Sequence, residues 1–97
     1  MNQAGMLRIL NQQQEELRTH YHVVSLLLFG SFARNEANEE SDVGLLVEFS
    51  QPVGLFQFIE LQQKLEALLG RKVDLSTPRS LKPMMKDQVL QEAIRVT

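Results

Sequence analysis

Apolar positions fall along the chain in seven blocks, and their spacing predicts the elements. From Gln3 to His20, Met6, Leu7, Leu10 and Leu17 recur at helical intervals among polar residues, which predicts one amphipathic helix. Val23 to Phe29 has no alternation and opens on two β-branched residues, so it reads as a short strand buried on both faces, stopped by Gly30-Ser31. Phe32 to Ser41 is short and acidic, with Asn35, Asn38 and Ser41 as turn formers and room for one helical turn around Phe32 to Glu36. Val43, Leu45, Leu46, Val47 and Phe49 form a second strand interrupted by Gly44, followed by a turn at Gln51-Pro52-Val53-Gly54. Leu55, Phe58, Ile59, Leu65, Leu68 and Leu69 repeat with a 3.6-residue period, and Gly70 is placed as the residue just past a helix end. Lys72 to Leu75 predicts a third strand. After the break at Thr77-Pro78-Arg79-Ser80, Pro83 suits the first turn of a last helix. Its expected inner face is Leu81, Met85, Val89 and Ala93, with Met84 and Leu90 at the margin. The order α-β-α-β-α-β-α predicts an α+β fold, a two-layer sandwich of helices on a small sheet. Whether that sheet is parallel or mixed does not follow from periodicity.

Composition narrows the class. Ninety-seven residues suit one domain over 1–97, and 43% apolar with 23% charged residues is globular composition, not that of a disordered chain. Ten basic against twelve acidic residues give a net charge of −2, without the basic excess of a direct nucleic-acid binder. The absence of cysteine excludes disulfides and thiolate metal sites. The N-terminal stretch has no signal pattern, and the longest apolar run is too short to cross a bilayer. A soluble, cytoplasmic protein without a membrane partner is expected.

Candidate chemistry concentrates in two stretches and one later residue. Gly30-Ser31, at a strand end opening into a helical turn, suits a phosphate: glycine permits close backbone approach, the hydroxyl donates, and helix N–H groups point at the anion. The plain alternative is a strand-to-helix turn with a serine cap. Asp42 opens the second strand. Asp74 lies inside the third, between Val73 and Leu75, where aspartate is uncommon. Two carboxylates on adjacent strands make a hard-oxygen site suited to Mg²⁺; otherwise Asp42 is a turn residue and Asp74 a half-exposed edge residue. His20 and His22 have no evident metal-ligand partners, and the acidic run Glu36 to Glu40 reads as a solvated loop.

In order and spacing these residues resemble the minimal nucleotidyltransferases of the DNA polymerase β-like superfamily. That family's pattern is Gly-Ser, ten residues, Asp-x-Asp, and a third carboxylate on a later strand. Here Gly30-Ser31 is followed by the ten residues Phe32 to Ser41 and then Asp42-Val43-Gly44. Ala33-Arg34 after the Gly-Ser, Leu45-Leu46-Val47-Glu48-Phe49 after the Asp, Val73-Asp74-Leu75, and Glu92-Ala93-Ile94 as the end of the last helix extend the likeness over almost the whole chain. The resemblance implies a small mixed sheet and transfer of AMP from ATP with two Mg²⁺ ions. It also implies pairing with a HEPN-domain toxin, the nucleotidyltransferase acting as antitoxin by adenylylating a tyrosine of that toxin. By the same resemblance Gly30 and Ser31 hold the nucleotide phosphates, with Arg34 a further candidate, and Asp42 and Asp74 are catalytic metal ligands.

Two positions depart from the pattern. Asn35 replaces a usual glycine, a mild change because Asn tolerates left-handed backbone. Gly44 stands where the second Asp belongs, on the strand face of Asp42. It is either a natural loss that leaves a catalytically inactive module binding the HEPN partner, a substitution in an active enzyme, or a gap filled by another carboxylate. Of the neighbouring carboxylates Glu39, Glu40 and Glu48, Glu48 shares the parity but lies ~20 Å along the strand from Asp42, taken at about 3.3 Å per residue. An aspartate restored at 44 is expected to aim at the same ions without remodelling.

Overall fold

The computed structural model describes residues 2–96. Its elements are α1 (Gln3–Gln12), α2 (Gln14–Tyr21), β1 (Val23–Phe29), β2 (Val43–Phe49), α3 (Leu55–Leu69), β3 (Val73–Ser76), α4 (Pro83–Glu92) and β4 (Ile94–Arg95), with single 3₁₀ turns at Gly30–Phe32 and Pro78–Ser80. The sheet runs β3-β2-β1-β4 and is mixed: β1 is antiparallel to β2 and β4, and β2 is parallel to β3.

One helix was expected from Gln3 to His20, and two are found. The chain leaves helical geometry at Gln13 (φ −97°, ψ 7°). An unbroken helix of that length would extend about 27 Å at 1.5 Å per residue, close to the molecule's 32 Å longest dimension. The break lets α1 pack on α3 while α2 turns over β1. At its end, His22 takes a left-handed conformation (φ 60°) that delivers the chain into the sheet.

The core lies on one side of the sheet. Val23, Leu26 and Leu28 of β1, Val43, Leu45 and Val47 of β2, and Val73 and Leu75 of β3 meet Met6, Leu10 and Leu17 of α1–α2 and Leu61, Leu65 and Leu69 of α3. Each fully buried leucine contributes on the order of 2 kcal/mol by removal from water. The buried stripe of α3 is thus Leu61-Leu65-Leu69; Leu55 and Ile59, expected inside, are exposed, and Phe58 and Leu68 are half-buried. Two side chains of α3 also satisfy the start of β3. Gln62 donates to the Val73 carbonyl (3.0 Å), and the Val73 N–H donates to Glu66 (3.0 Å).

The opposite face carries Phe29, Gly44, Leu46, Glu48 and Asp74, the residues of the other parity. Here α4 lies against β1, and Leu46 and Val89 are buried apart from the main core. Of the four residues expected to face inward from α4, only Val89 is buried; Leu81 and Ala93 are half-buried and Met85 is exposed. The chain end also differs from expectation. Ala93 turns extended (φ −67°, ψ 142°), so Ile94 leaves the helix and pairs with Leu28 instead of closing α4. β-Branched Ile94 and buried Val96 favour that strand, whose two residues are too few to register as a pattern.

Candidate functional site

Strand β1 ends in Gly30 at φ 79°, a left-handed conformation that favours glycine, and a side chain there would meet nothing within 4 Å. The backbone is therefore open to a ligand. The helix expected behind it is a single 3₁₀ turn, Gly30–Phe32, so the dipole available to an anion is that of one turn. The loop folds back on itself: the Arg34 N–H donates to Gly30 (3.1 Å) and the Glu36 N–H to Ser31 (2.8 Å). Asn35 adopts φ 59°, the left-handed geometry for which asparagine is tolerated in place of glycine. From α1, the Gln3 amide donates to the carbonyls of Phe32 (3.1 Å) and Ala33 (3.0 Å), tying the turn to the helical layer.

The carboxylates come together as the strand parity requires. Gly44 is paired with Phe29 on one side and Asp74 on the other. Asp42, two residues before Gly44, shares its face, and both aspartates are exposed. A lateral step of about 4.8 Å and two residues along the strand separate the two Cα atoms by roughly 8 Å, within reach of one ion between two side chains. No group of three or more His, Cys, Asp or Glu that could hold a metal exists among the described residues. The donor set thus fits one hard divalent cation completed by water and phosphate oxygens, not a pair.

The space above Gly44 belongs to Phe29. A Cβ at position 44 would lie 2.9 Å from Phe29 Cε2 and 3.0 Å from Cδ2 and Cζ. The expectation that an aspartate fits at 44 without remodelling is corrected accordingly: the ring has to swing away first. The conflicting atoms are the far end of a rotatable side chain, so the change required is one of rotamer, not of backbone.

Arg71, at the entrance to β3, organises the approach to Asp42. Its guanidinium donates to the carbonyls of Ser41 (2.7 Å) and Asn38 (3.3 Å) and stands 5.0 Å from the centre of the Phe32 ring. Arg34 is engaged by carboxylates: Nε donates to Glu36 (3.1 Å) and Nη1 to Glu92 at the end of α4 (3.0 Å). The hydrogen bond to Glu36, then that to Glu92, raises the Arg34 pKa above its ordinary value. Gln3, Phe29, Arg71 and Glu92 were not expected at the site, because each acts through a contact distant in sequence. The only local hint was the Gly70-Arg71 pair at the end of α3.

A second feature lies toward the other end of β2. Phe49, Pro52, Val53, Leu55, Phe58 and Pro78 line an open groove of about 840 Å³, with Glu48 and Arg79 at its polar positions. Glu48 is four residues from Gly44, ~13 Å along the strand. It does not supply the carboxylate absent at 44.

Comparison with known proteins bears on the family and the fold. The family model of the nucleotidyltransferase domain matches residues 10–96. Protein adenylyltransferase MntA of Thermococcus cleftensis is 46% identical over 88 residues, covering 91% of this chain and 89% of its own. A solved structure described as a minimal nucleotidyltransferase superposes with a TM-score of 0.80 at 39% identity, covering 97% of this chain and 95% of that one. A chain from a mutant MntA toxin–antitoxin crystal structure superposes with a TM-score of 0.67 at 27% identity, covering 88% and 68% respectively.

Proposed function

The chain belongs to the nucleotidyltransferase domain family, within the branch of the protein adenylyltransferases, and from that premise we propose that it is the cytoplasmic antitoxin of a toxin–antitoxin pair whose partner is a HEPN-domain toxin. Its chemistry is transfer of AMP from ATP to a tyrosine of that partner: the tyrosine oxygen bonds to the α-phosphorus, the bond to the β-phosphate oxygen breaks, and pyrophosphate leaves. Transfer by this chain is impaired by Gly44. The observation that carries the reading is the register Phe29–Gly44–Asp74, which sets one carboxylate, one glycine and Asp42 where the family sets three carboxylates.

Within that reading the Gly30 backbone and the Ser31 hydroxyl receive the phosphates, the first by close approach and the second by donating a hydrogen bond. Asp42 and Asp74 would hold Mg²⁺, which when bound supplies positive charge to the phosphate oxygens. Arg71 keeps the Asn38–Ser41 loop folded and so fixes the direction from which Asp42 enters the site. The groove beside Glu48 lies too far along β2 to belong to the phosphate seat.

The test is calorimetry with Mg²⁺ and a non-hydrolysable ATP analogue, followed by transfer of labelled AMP to the co-purified partner. Binding with slow transfer is the expected result; no binding would remove the nucleotide site. Gly44 also favours a second reading, a catalytically inactive module that neutralises the toxin by complex formation alone. A stable complex without transfer, even after Gly44→Asp, would select it.

A further inference from the structure

Arg34 joins two parts of the chain that are far apart in sequence, the loop after the Gly30 turn and the end of α4, through two carboxylates on one guanidinium. A guanidinium presents two edges to an oxyanion, one formed by Nε and an Nη and the other by the two Nη groups. Glu36 occupies Nε and Glu92 occupies Nη1, so each edge already has one nitrogen engaged. Nε has a single N–H, so a phosphate can take the Nε edge with two hydrogen bonds only by displacing Glu36.

The two are not equivalent. The Glu36 side chain is 66% exposed and that of Glu92 is 20% exposed. Glu36 is also attached to the seat itself, since its N–H donates to the Ser31 carbonyl. Its carboxylate therefore stands near the place a phosphate would take and is the more easily released to water. Glu92 is fixed by the element behind it: α4 ends there, and Ile94, two residues on, pairs with Leu28 of the strand leading into Gly30.

We propose that Glu92 is a positioning residue that anchors Arg34 beside the phosphate seat, and that Glu36 holds the Nε edge in reserve until a nucleotide phosphate displaces it. The proposal rests on the nucleotide reading above and adds to it a division of roles between two like charges on one arginine. Removal of Glu36 frees the edge and lifts a negative charge from the seat, so affinity rises. Removal of Glu92 lifts the same charge but releases the anchor, so affinity falls.

Affinity for AMP-PNP with Mg²⁺ is measured by calorimetry on the whole chain, Glu36→Gln, Glu92→Ala, Arg34→Gln, and each carboxylate variant combined with Arg34→Gln. Thermal midpoints verify that every variant is folded. Glu36→Gln is expected to bind roughly three- to fivefold more tightly, the scale of one exposed ion pair. Glu92→Ala is expected to bind roughly fivefold or more weakly, the scale of a charge-assisted hydrogen bond. Both effects should vanish in the Arg34→Gln background. Shifts of the same sign in both single variants, no shift in either, or shifts that survive Arg34→Gln would overturn the proposal. A parent chain silent toward the analogue would instead overturn the nucleotide reading, and the proposal with it. If Glu92→Ala unfolds, the Arg34 Nε–H resonance of the parent decides: it should move on addition of AMP-PNP as Glu36 is exchanged for phosphate, and a stationary signal with bound analogue overturns the exchange.

Discussion

Phe29 lays its ring over Gly44, with Cε2 2.9 Å from where a side chain at 44 would begin. The pair are direct neighbours in the β1–β2 ladder, and the next neighbour across β2 is Asp74. The aromatic side chain thus stands at the point where the family pattern calls for a second carboxylate. Glycine within a strand costs conformational entropy and leaves packing unfilled, and here the ring of the adjacent strand takes up the room.

Gly44→Asp is expected to create or restore adenylyl transfer, with Phe29 turning to another rotamer. A pair of metal ions some 3.5–4 Å apart neutralises the attacking and leaving oxygens of an in-line displacement, and the shared carboxylate offsets the repulsion between the ions. If its absence costs about 4 kcal/mol in the transition state, turnover differs by roughly a thousandfold, since ~1.4 kcal/mol is tenfold. Labelled AMP transferred to the co-purified partner is the readout. The steric conflict adds a second: Phe29→Leu combined with Gly44→Asp should be more stable than additivity predicts, by about 0.5–3 kcal/mol. Additive unfolding energies would show that ring and carboxylate do not compete for the same space.

Asp42→Ala and Asp74→Asn should each weaken binding of the Mg²⁺–analogue complex, whereas Glu48→Gln should leave it unchanged. All three residues share one sheet face, but Glu48 stands ~13 Å from Gly44 along β2 at about 3.3 Å per residue, too far to ligate an ion held between Asp42 and Asp74 and largely screened from it. Isothermal titration of the three variants under one salt condition decides it.

Legibility in the sequence followed the range of the interactions. Three of the four strands and the longest helix rest on local periodicity and were readable, as was the cap at Gly70 (φ 65°), where glycine accepts left-handed geometry. The mixed sheet with Asp42, Gly44 and Asp74 on one face needed strand pairing, which the family resemblance supplied and composition did not. The break at Gln13, the two-residue β4 and the exposed face of α3 were not legible. Each is set by what the segment packs against: α2 on β1, Ile94 on Leu28, and Leu61-Leu65-Leu69 in preference to the equally apolar Leu55 and Ile59. The support of the site was hidden for the same reason. Gln3 reaches Phe32 and Arg34 reaches Glu92 across 29 and 58 residues of chain.

The buried stripe of α3 and the exposed side of α4 should differ in their tolerance of truncation. Leu65→Ala, in the fully buried stripe of α3, should cost about 2–5 kcal/mol, as a large-to-small change in a packed core does. Met84→Ala, on an α4 side chain that is 92% exposed, should change stability by less than about 0.5 kcal/mol. Denaturant unfolding of the two variants with equal slopes would measure this. A comparable loss in both would mean that α4 is buried against something in solution.

Arg71→Ala should loosen the approach to Asp42 before it affects the rest of the fold. The Arg71 guanidinium bridges the carbonyls of Asn38 and Ser41 and stacks near Phe32. Hydrogen bonds from a charged donor contribute about 1.5–3 kcal/mol each when well made, and the 2.7 Å contact to Ser41 is the shorter of the two. Their loss should be local, because the Val43 N–H still pairs with the Lys72 carbonyl and keeps β2 in register with β3. Amide exchange should therefore accelerate at Asn38–Ser41 while Leu45 and Val47 remain protected, and affinity for the Mg²⁺–analogue complex should fall. Both bonds leave from the one nitrogen Nη1, so Arg71→Lys should recover part of the loop protection while losing the planar contact of the guanidinium with Phe32. Uniform acceleration across β2 would show instead that Arg71 supports the whole sheet edge; unchanged exchange at Ser41 would show that the loop holds without it.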